Sequence, residues 1–235
     1  MITRFEELDW QSTPMGDLTL RRRWEPAAGH EIYEVKLGEE YLMSSLFTVA
    51  EIALADLGLA LADGEDLNVL VGGLGLGYTA VAALRDSRVG ALAVIDRLDT
   101  VIGWHERKLL PVSAELVDDS RTTLVCDDFF EVMRNAPRDD LRMWDAILLD
   151  VDHSPRHQLD ATHADLYQAD GLRALARHLA SKGVFALWSD DPPDPDFMVQ
   201  LDQVFDDTAA HVIDFANPVT EGTSSNTVYV GRSHS

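Results

Sequence analysis

The sequence predicts an α/β protein with a doubly wound, mostly parallel sheet behind a small β-rich N-terminal piece. Two observations support this fold class. From residue 46 onward, short apolar runs alternate with segments of helical periodicity, and the first apolar run leads directly into a glycine-rich turn and a helix. Parallel strands need a long crossover, which a helix between successive strands supplies. We therefore divide the chain into a β-rich region, 1–45, and a Rossmann-like domain, 46–235.

Extended segments joined by turn residues make up the N-terminal region. Residues 13–17 and 26–29 each contain proline and glycine, which favour turns. The segment 31–37 alternates apolar and polar side chains, as a half-buried strand does, and 18–24 and 41–44 are its candidate partners. The pattern predicts a hairpin or a three-stranded sheet.

Strands and helices alternate through the rest of the chain. Helical spacing predicts helices over 46–61, 78–86, 100–110, 112–118, 129–135, 166–179 and 196–205. Apolar runs predict strands over 67–71, 91–95, 122–126, 145–151, 184–188, 211–215 and 226–231. The last two strands are joined by a Pro/Gly/Ser-rich loop without a helix, so we expect them to pair antiparallel.

The glycine-rich turn between the first of these strands and its helix is a candidate nucleoside site. It contains Gly73, Gly75 and Gly77. Glycines let a ligand approach the backbone, and a helix N-terminus offers unpaired N–H groups to it. The spacing is shorter than that of the dinucleotide fingerprint, which favours a cofactor of the S-adenosylmethionine (AdoMet) type over NAD. The alternative is a turn that binds nothing.

Acidic residues end the next three strands, at the sheet edge where ligands of open α/β sheets bind. Asp96 follows the glycines by roughly 20 residues, the position of an acid that binds a ribose diol. Asp127, followed by Asp128, could accept from an adenine amino group. Asp150 emerges from a buried strand and could take a proton from an ammonium nucleophile. Asp152 would share its face if the strand continued. Each acid alone could equally be a loop starter or helix cap.

Composition excludes several classes of protein. The single cysteine rules out internal disulfides and a cysteine-based zinc cluster, and no apolar run approaches the ~18 residues of a membrane helix. The start of the chain lacks signal-peptide features, so we expect a cytoplasmic protein without membrane contact. The net charge of −22 disfavours nucleic acid and would attract a cationic substrate, although it could equally be a solvating or salt-adapted surface.

Histidines follow the fourth strand end and raise the question of a metal. His153 could be a second base or a surface residue. For a metal site formed by Asp152, His153, His157 and His163, the spacing matches no helix-based ligand pair other than His157 with nearby acids, so we expect no metal. Trp104 and His105 lie in a predicted helix, where we expect Trp104 to pack and His105 to lie on the surface.

Together these segments resemble the spermidine synthases, the polyamine aminopropyltransferases. The similarity covers the N-terminal piece, the helix with Glu51, and residues 69–77, 94–96, 101–102, 110–111, 125–128, 145–150 and 179–184. The resemblance implies a β-rich domain on a Rossmann-like domain of the class I AdoMet-methyltransferase type. It also implies decarboxylated AdoMet as donor, a small-molecule amine as acceptor, no metal, and a homo-oligomer, since members are often dimers or tetramers.

The resemblance also assigns residues. Asp96 corresponds to the ribose-binding acid, Asp127 to the adenine-binding aspartate, and Asp128 stands where a glycine usually follows. Asp150 corresponds to the proton-accepting aspartate that begins the family's Asp-x-x-Asp-Pro signature. Glu51 is retained from a Tyr-His-Glu motif and is a candidate substrate contact.

Two departures affect the residues that hold cationic groups. Gly75 replaces the aspartate that grips the donor's aminopropyl ammonium, and His153 replaces the second aspartate of the signature. Asp152, one residue away, could substitute for the latter. Just past the fifth strand, Asp191 is a candidate acceptor contact, with Tyr33 and Trp188 as further ones or as packing residues.

Three functions remain open on the sequence. The first is aminopropyl transfer from decarboxylated AdoMet to a di- or polyamine, with Asp150 as proton acceptor. The second is methyl transfer from intact AdoMet to a small molecule, which Gly75 does not oppose. The third is binding of a nucleoside without catalysis.

Overall fold

The N-terminal part of the chain is a four-stranded antiparallel sheet in the order β1-β2-β3-β4. The computed structural model describes residues 5–13, 16–137 and 143–234. The strands are β1 (Phe5–Thr13), β2 (Gly16–Glu25), β3 (His30–Leu37) and β4 (Glu40–Ser44). Strand β1 was not expected, because its side chains are mostly polar and none is buried. Ion pairs such as Arg22–Glu6 join it to β2. Pro14 and Met15 of the expected first turn lie outside the described residues.

The remaining strands form a seven-stranded sheet in the order β10-β11-β9-β8-β5-β6-β7. They are β5 (Leu67–Gly72), β6 (Val89–Asp96), β7 (Thr122–Cys126), β8 (Trp144–Leu149), β9 (Leu179–Ser189), β10 (Phe205–Asn217) and β11 (Gly222–Ser233). Strands β5 to β9 are parallel, and β11 pairs antiparallel with both β9 and β10. The mostly parallel sheet and its antiparallel end confirm the prediction.

Seven helices in the described residues cover the two faces of this sheet. They are α1 (Val49–Leu61), α2 (Tyr78–Arg85), α3 (Asp99–Glu106), α4 (Ser113–Val117), α5 (Phe129–Arg134), α6 (Ala169–Ala176) and α7 (Pro195–Asp202). Val69 and Val71 of the fully buried β5 pack with α1 to α4, whereas Leu70 packs with α5 to α7. Residues alternate between the faces of a strand, so β5 needs apolar side chains on both. The sheet is therefore doubly wound, as predicted.

Several element ends differ from the sequence expectation. Helix α3 ends at Glu106, because the chain turns at Lys108, which has a positive φ of 56°. Helix α6 is shorter than expected, because β9 already begins at Leu179. No helix within the described ranges combines the length and the apolarity that a bilayer crossing requires.

The N-terminal sheet packs against the helical face formed by α1 and α3. Leu18, Leu20 and Val35 share a core with Leu54 of α1. Trp104, fully buried in α3, donates its indole N–H to Asp9 of β1 over 2.7 Å. The packing role expected for Trp104 is confirmed. This contact fixes the N-terminal sheet against α3. Residues of β4 and those that follow it can therefore line a site at the edge of the second sheet.

Candidate functional site: a cavity beside the glycine loop

The sheet reverses its strand order between β5 and β8, and the loop after β5 lies at this point. Ligands of doubly wound sheets bind at such a switch point. Gly73 and Gly77 have φ angles of +91° and +88°. A Cβ on Gly73 would lie 2.0 Å from the Asp150 carbonyl oxygen, and one on Gly77 would lie 2.6 Å from the His105 ring. The loop therefore requires glycine at both positions for its conformation and its close packing.

His105 packs against this loop and is fully buried, so the expectation of a surface residue was wrong. Its Nε2 lies 3.0 Å from the Gly75 carbonyl oxygen, and its Nδ1 lies 3.1 Å from Ser113 Oγ. Because a carbonyl only accepts, Nε2 carries the proton and Nδ1 accepts from the serine. Burial lowers the pKa of His105, which favours this neutral form. Its position four residues after Val101, on the apolar side of α3, was the signal for burial.

Asp96 lies beside the loop, as predicted, and binds the loop's own backbone. Its carboxylate accepts from the N–H groups of Leu74 at 2.9 Å, Gly75 at 3.5 Å and Leu98 at 2.8 Å. Burial raises the pKa of Asp96, and these hydrogen bonds oppose the rise. An ionised carboxylate has about four acceptor positions, which leaves room for a hydroxyl. Its role toward ribose stays a prediction.

Asp127 and Asp128 lie at the neighbouring end of β7. The Asp127 N–H donates to the Asp96 carbonyl over 3.1 Å, so these strand ends are adjacent. Asp128 caps α5 by accepting from the N–H groups of Phe130 and Glu131, and Arg97 lies 3.7 Å away. Asp128 thus has a structural task, and the exposed Asp127 accepts from the Asp128 N–H over 2.8 Å. Their contact with adenine stays a prediction.

A cavity of about 300 Å³ opens next to the loop. Its charged or titratable lining comes from Glu51, Asp150 and His153, and neither lysine nor arginine lines it among the residues that the structure describes. Neutral polar groups come from Ser44, Tyr78, Ser224 and Asn226. The apolar lining comprises Leu42, Met43, Phe47, Leu74, Leu76, Val151, Leu159, Trp188 and Phe215, besides Gly75 and Gly77. The cavity is therefore acidic at Glu51 and Asp150 and mostly apolar elsewhere, with His153 and a few neutral polar groups in the rest of its lining.

Asp150 and Glu51 are the two carboxylates of this cavity. Asp150 directly follows β8, its N–H donates to Gly72 over 2.8 Å, and its carboxylate accepts from Thr79 Oγ1 over 2.7 Å. Burial raises the pKa of Asp150 to about 6, although the Thr79 hydrogen bond opposes this. Burial and the nearby charge of Asp150 raise the pKa of Glu51 to about 8. At pH 7 the pair therefore holds one proton and carries about one negative charge.

Asp152 does not belong to the cavity. It is 1% exposed and accepts from Tyr167 OH at 2.7 Å and the Leu159 N–H at 2.7 Å, with His163 Nδ1 at 2.9 Å. Strand β8 ends at Leu149, so the alternation that would have placed Asp152 beside Asp150 does not continue. The structure therefore does not bring Asp152 to the candidate acceptor site.

Of the other predicted acceptor contacts, some line the cavity and some do not. His153 and Trp188 line the cavity, whereas Tyr33 and Asp191 do not. Asp191 accepts from Ser154 Oγ over 2.7 Å and lies 3.0 Å from His157 Nδ1. Thus, of the four acceptor-contact candidates after β8, the structure brings His153 and Trp188 to the described cavity walls and leaves Asp152 and Asp191 outside them.

The histidines considered for a metal site lie in separate pairs with carboxylates. His163 is bound to Asp152 and His157 to Asp191, while His153 lies 3.9 Å from Asp190. In the part of the chain that the structure describes, no three potential ligands converge on one point.

Sequence reasoning missed Thr79 and the contribution of the C-terminal hairpin. Thr79 lies in the first turn of α2, where a hydroxyl after a glycine loop is a recognisable signal. The hairpin supplies Phe215 from β10 and Ser224 and Asn226 from β11, and the Phe215 ring lies 5.2 Å from that of Phe47. These contacts join residues more than 160 positions apart, and no local pattern indicates them.

The sheet order, the glycine loop at the switch point and the acidic strand ends define a Rossmann-like fold of the class I AdoMet-methyltransferase type. No protein-family model and no curated protein matches the sequence. Among solved structures, spermidine synthase from Thermotoga maritima superposes with a TM-score of 0.74 at 18% identity, covering 96% of this chain and 72% of its own.

A spermidine synthase in complex with the transition-state analogue AdoDATO superposes with a TM-score of 0.71 at 17% identity, with the same coverage of 96% and 72%. At this level of identity the similarity shows the fold. The chain has a spermidine-synthase-like fold, as its sequence resemblance predicted.

Proposed function

We propose that the protein transfers an aminopropyl group from decarboxylated AdoMet to an amine, with Asp150 as the proton acceptor. One observation carries this proposal: a cavity beside the glycine loop is lined by two carboxylates and by no lysine or arginine of the described residues. Such a cavity suits cationic reactants and disfavours anionic ones.

The reaction needs an amine that has lost its proton. Its nitrogen lone pair forms a bond to the aminopropyl carbon, the bond from that carbon to the sulfonium sulfur breaks, and methylthioadenosine leaves. The new bond leaves the nitrogen positively charged, and one of its protons passes to Asp150. A base with a pKa of about 6 is ionised at pH 7 and still basic enough to accept this proton. Positioning of the two reactants in line supplies the remaining rate enhancement.

The same cavity-lining residues favour decarboxylated AdoMet over intact AdoMet as the donor. Intact AdoMet carries a carboxylate on the group that decarboxylated AdoMet presents as aminopropyl. In this cavity that carboxylate would face Asp150 and Glu51 without a described lysine or arginine to pair with it. Decarboxylated AdoMet avoids this repulsion, and its ammonium would be attracted instead.

Methyl transfer from intact AdoMet is the second candidate, and Gly75 favours it. At the loop position where the resembling family has an aspartate for the aminopropyl ammonium, this chain has no side chain. The loop could then accommodate the amino acid end of AdoMet through backbone groups alone.

Incubation of the purified protein with each donor and a panel of amines tests the two candidates. Mass spectrometry would detect methylthioadenosine after aminopropyl transfer and S-adenosylhomocysteine after methyl transfer. We expect methylthioadenosine. Formation of S-adenosylhomocysteine alone would overturn the proposal in favour of the second candidate. A rise in melting temperature with either donor but no product would indicate binding without catalysis.

A further inference from the structure

The charged and the apolar parts of the cavity wall come from different elements. Glu51 of α1 and Asp150 after β8 are neighbours, since Thr79 Oγ1 lies 2.7 Å from the Asp150 carboxylate and 3.4 Å from the Glu51 carbonyl oxygen. The rest of the wall is mostly apolar or aromatic, and its aromatic members are Phe47, Tyr78, Trp188 and Phe215. An ammonium could therefore be paired beside Glu51 and Asp150 and nowhere else along the described walls.

Four other acids near the cavity have partners of their own, and one of them, Asp190, lies 3.9 Å from His153 Nδ1. Asp152 is bound to His163 and Tyr167, and Asp191 to Ser154 and His157. Asp194 caps α7 and lies 3.3 Å from Arg156. None of these four carboxylates lines the described cavity.

A count of charges then limits the acceptor. This step rests on the proposed function. The donor brings an ammonium and a sulfonium, and the attacking nitrogen is uncharged when it reacts. Among the described residues, the cavity has Glu51 and Asp150 to balance these charges, and at pH 7 this pair carries about one negative charge. A diamine or polyamine would bring at least one more ammonium, which would face apolar and neutral polar side chains of the described walls without a counter-charge. A buried charge without a partner is strongly unfavourable.

We propose that the acceptor is a monoamine with an uncharged apolar or aromatic tail, rather than a diamine or polyamine. Its amino group lies at Asp150, and its tail occupies the wall formed by Phe47, Trp188 and Phe215. Burial of the tail in this wall supplies the binding energy that ion pairs would give a diamine.

Matched amines test the proposal on the wild-type protein. Butylamine and 1,4-diaminobutane, and pentylamine and 1,5-diaminopentane, differ within each pair only by the distal amino group. Phenethylamine adds an aromatic tail. With decarboxylated AdoMet, we expect kcat/KM from methylthioadenosine release to be at least tenfold higher for each monoamine than for its diamine. Equal or higher values for the diamines would overturn the proposal and would assign the aromatic wall to cation–π binding of an ammonium.

A binding measurement separates failure of this proposal from failure of the proposed function. If no amine releases methylthioadenosine, aminopropyl transfer is wrong. The same amine pairs are then compared by calorimetry with methylthioadenosine present. Tenfold tighter binding of the monoamines would still support the assigned tail site, whereas preference for the diamines or no binding would overturn it.

A charge placed in the apolar wall gives a second test. Phe215→Asp adds a carboxylate to the wall, and we expect it to reduce the monoamine preference by at least tenfold. Val212→Asp is the matched control, because Val212 is an exposed residue of the same strand and does not line the cavity. We expect V212D to retain the wild-type preference. An equal change in both variants would show a general effect of negative charge and contradict the assignment.

Discussion

At the ends of β6 and β7, the carboxylates of Asp96 and Asp128 accept hydrogen bonds from backbone N–H groups. In the cavity, Asp150 has a single hydroxyl donor, Thr79, and Glu51 faces the charge of Asp150. Both regions contain buried or half-buried acids, and burial raises the pKa of Asp96 as well as those of Asp150 and Glu51, which rise to about 6 and about 8. Backbone N–H donors oppose the rise at Asp96 and join this acid to the loop, whereas Asp150 and Glu51 have fewer such donors and titrate near pH 7.

The largest expected effect comes from removing the charge of Asp150. On the proposed function, Asp150→Asn should lower the turnover rate by roughly 10²–10⁴-fold, because the amide cannot accept the proton. Binding of methylthioadenosine should remain close to wild type, since the amide oxygen can still accept from Thr79. Product release measured by mass spectrometry and calorimetric titration with methylthioadenosine would give the two quantities.

Asp96→Asn is the matched change in the other region. The amide oxygen keeps part of the contacts with the loop, but the charge is lost, and a charge-assisted hydrogen bond contributes about 1.5–3 kcal/mol. We expect nucleoside binding to weaken about tenfold or more, with turnover at saturation affected less than in D150N. If D96N abolished turnover at saturation while D150N only weakened binding, the distinction between the two regions would be wrong.

The second prediction concerns Glu51 and the pH dependence of stability. Its pKa is raised from 4.5 to about 8, so the folded protein holds this proton more tightly than the unfolded chain. The stabilisation is fully present below pH 4.5 and is lost as the pH rises to 8. Glu51→Gln cannot ionise at this position, so the variant does not lose this stabilisation as the pH rises. The variant should therefore gain stability relative to wild type as pH rises, by on the order of 3 kcal/mol at pH 9.

Urea unfolding at pH 5, 7 and 9 would measure this difference. Glu106→Gln, on the exposed end of α3, is the control and should follow wild type throughout. A constant difference between E51Q and wild type across the pH range would show that Glu51 has no raised pKa.

The sequence was sufficient for the sheet, the loop and the acids at the strand ends. Apolar runs, glycine spacing and chain order are local signals, so β5, the loop and Asp150 could be located directly. Glu51 was identified only through the family resemblance, because nothing in the periodicity of α1 shows that it faces Asp150, 99 positions further along the chain.

The remainder of the site depends on tertiary packing. The alternation rule placed Asp152 beside Asp150 only if the strand continued, and the strand ends at Leu149. The wall formed by Phe47 and Phe215 exists because the C-terminal hairpin packs against the residues before α1. Neither segment carries a pattern that distinguishes a cavity wall from ordinary core.

The third prediction concerns Thr79, the hydroxyl donor to Asp150. Its hydrogen bond stabilises the ionised carboxylate and holds the pKa of Asp150 below the value that burial alone would give. Thr79→Val removes this donor at nearly constant volume. The acid limb of the pH–rate profile should move to higher pH by about one unit, since a hydrogen bond to a charged group contributes about 1.5–3 kcal/mol.

Thr79→Ser keeps the hydroxyl and should restore the wild-type limb. If the acid limb of the T79V pH–rate profile stayed at the wild-type pH, a group other than Asp150 would determine that limb. That result would contradict the role of the Thr79 hydroxyl in setting the pKa of Asp150.

The smallest expected effect lies on the nucleoside side, at Ser113. Its hydroxyl is the donor to His105 Nδ1, and His105 in turn holds the Gly75 carbonyl. Ser113→Ala leaves Nδ1 buried without this donor, which should cost about 1–2 kcal/mol of unfolding free energy. Ser120→Ala, at an exposed position, should change it by less than about 0.5 kcal/mol. Because the lost contact lies behind the loop, S113A should weaken nucleoside binding slightly and leave the pH–rate profile unchanged. A shifted profile would show that the loop and the cavity acids act as one unit, and the two regions could then no longer be treated separately.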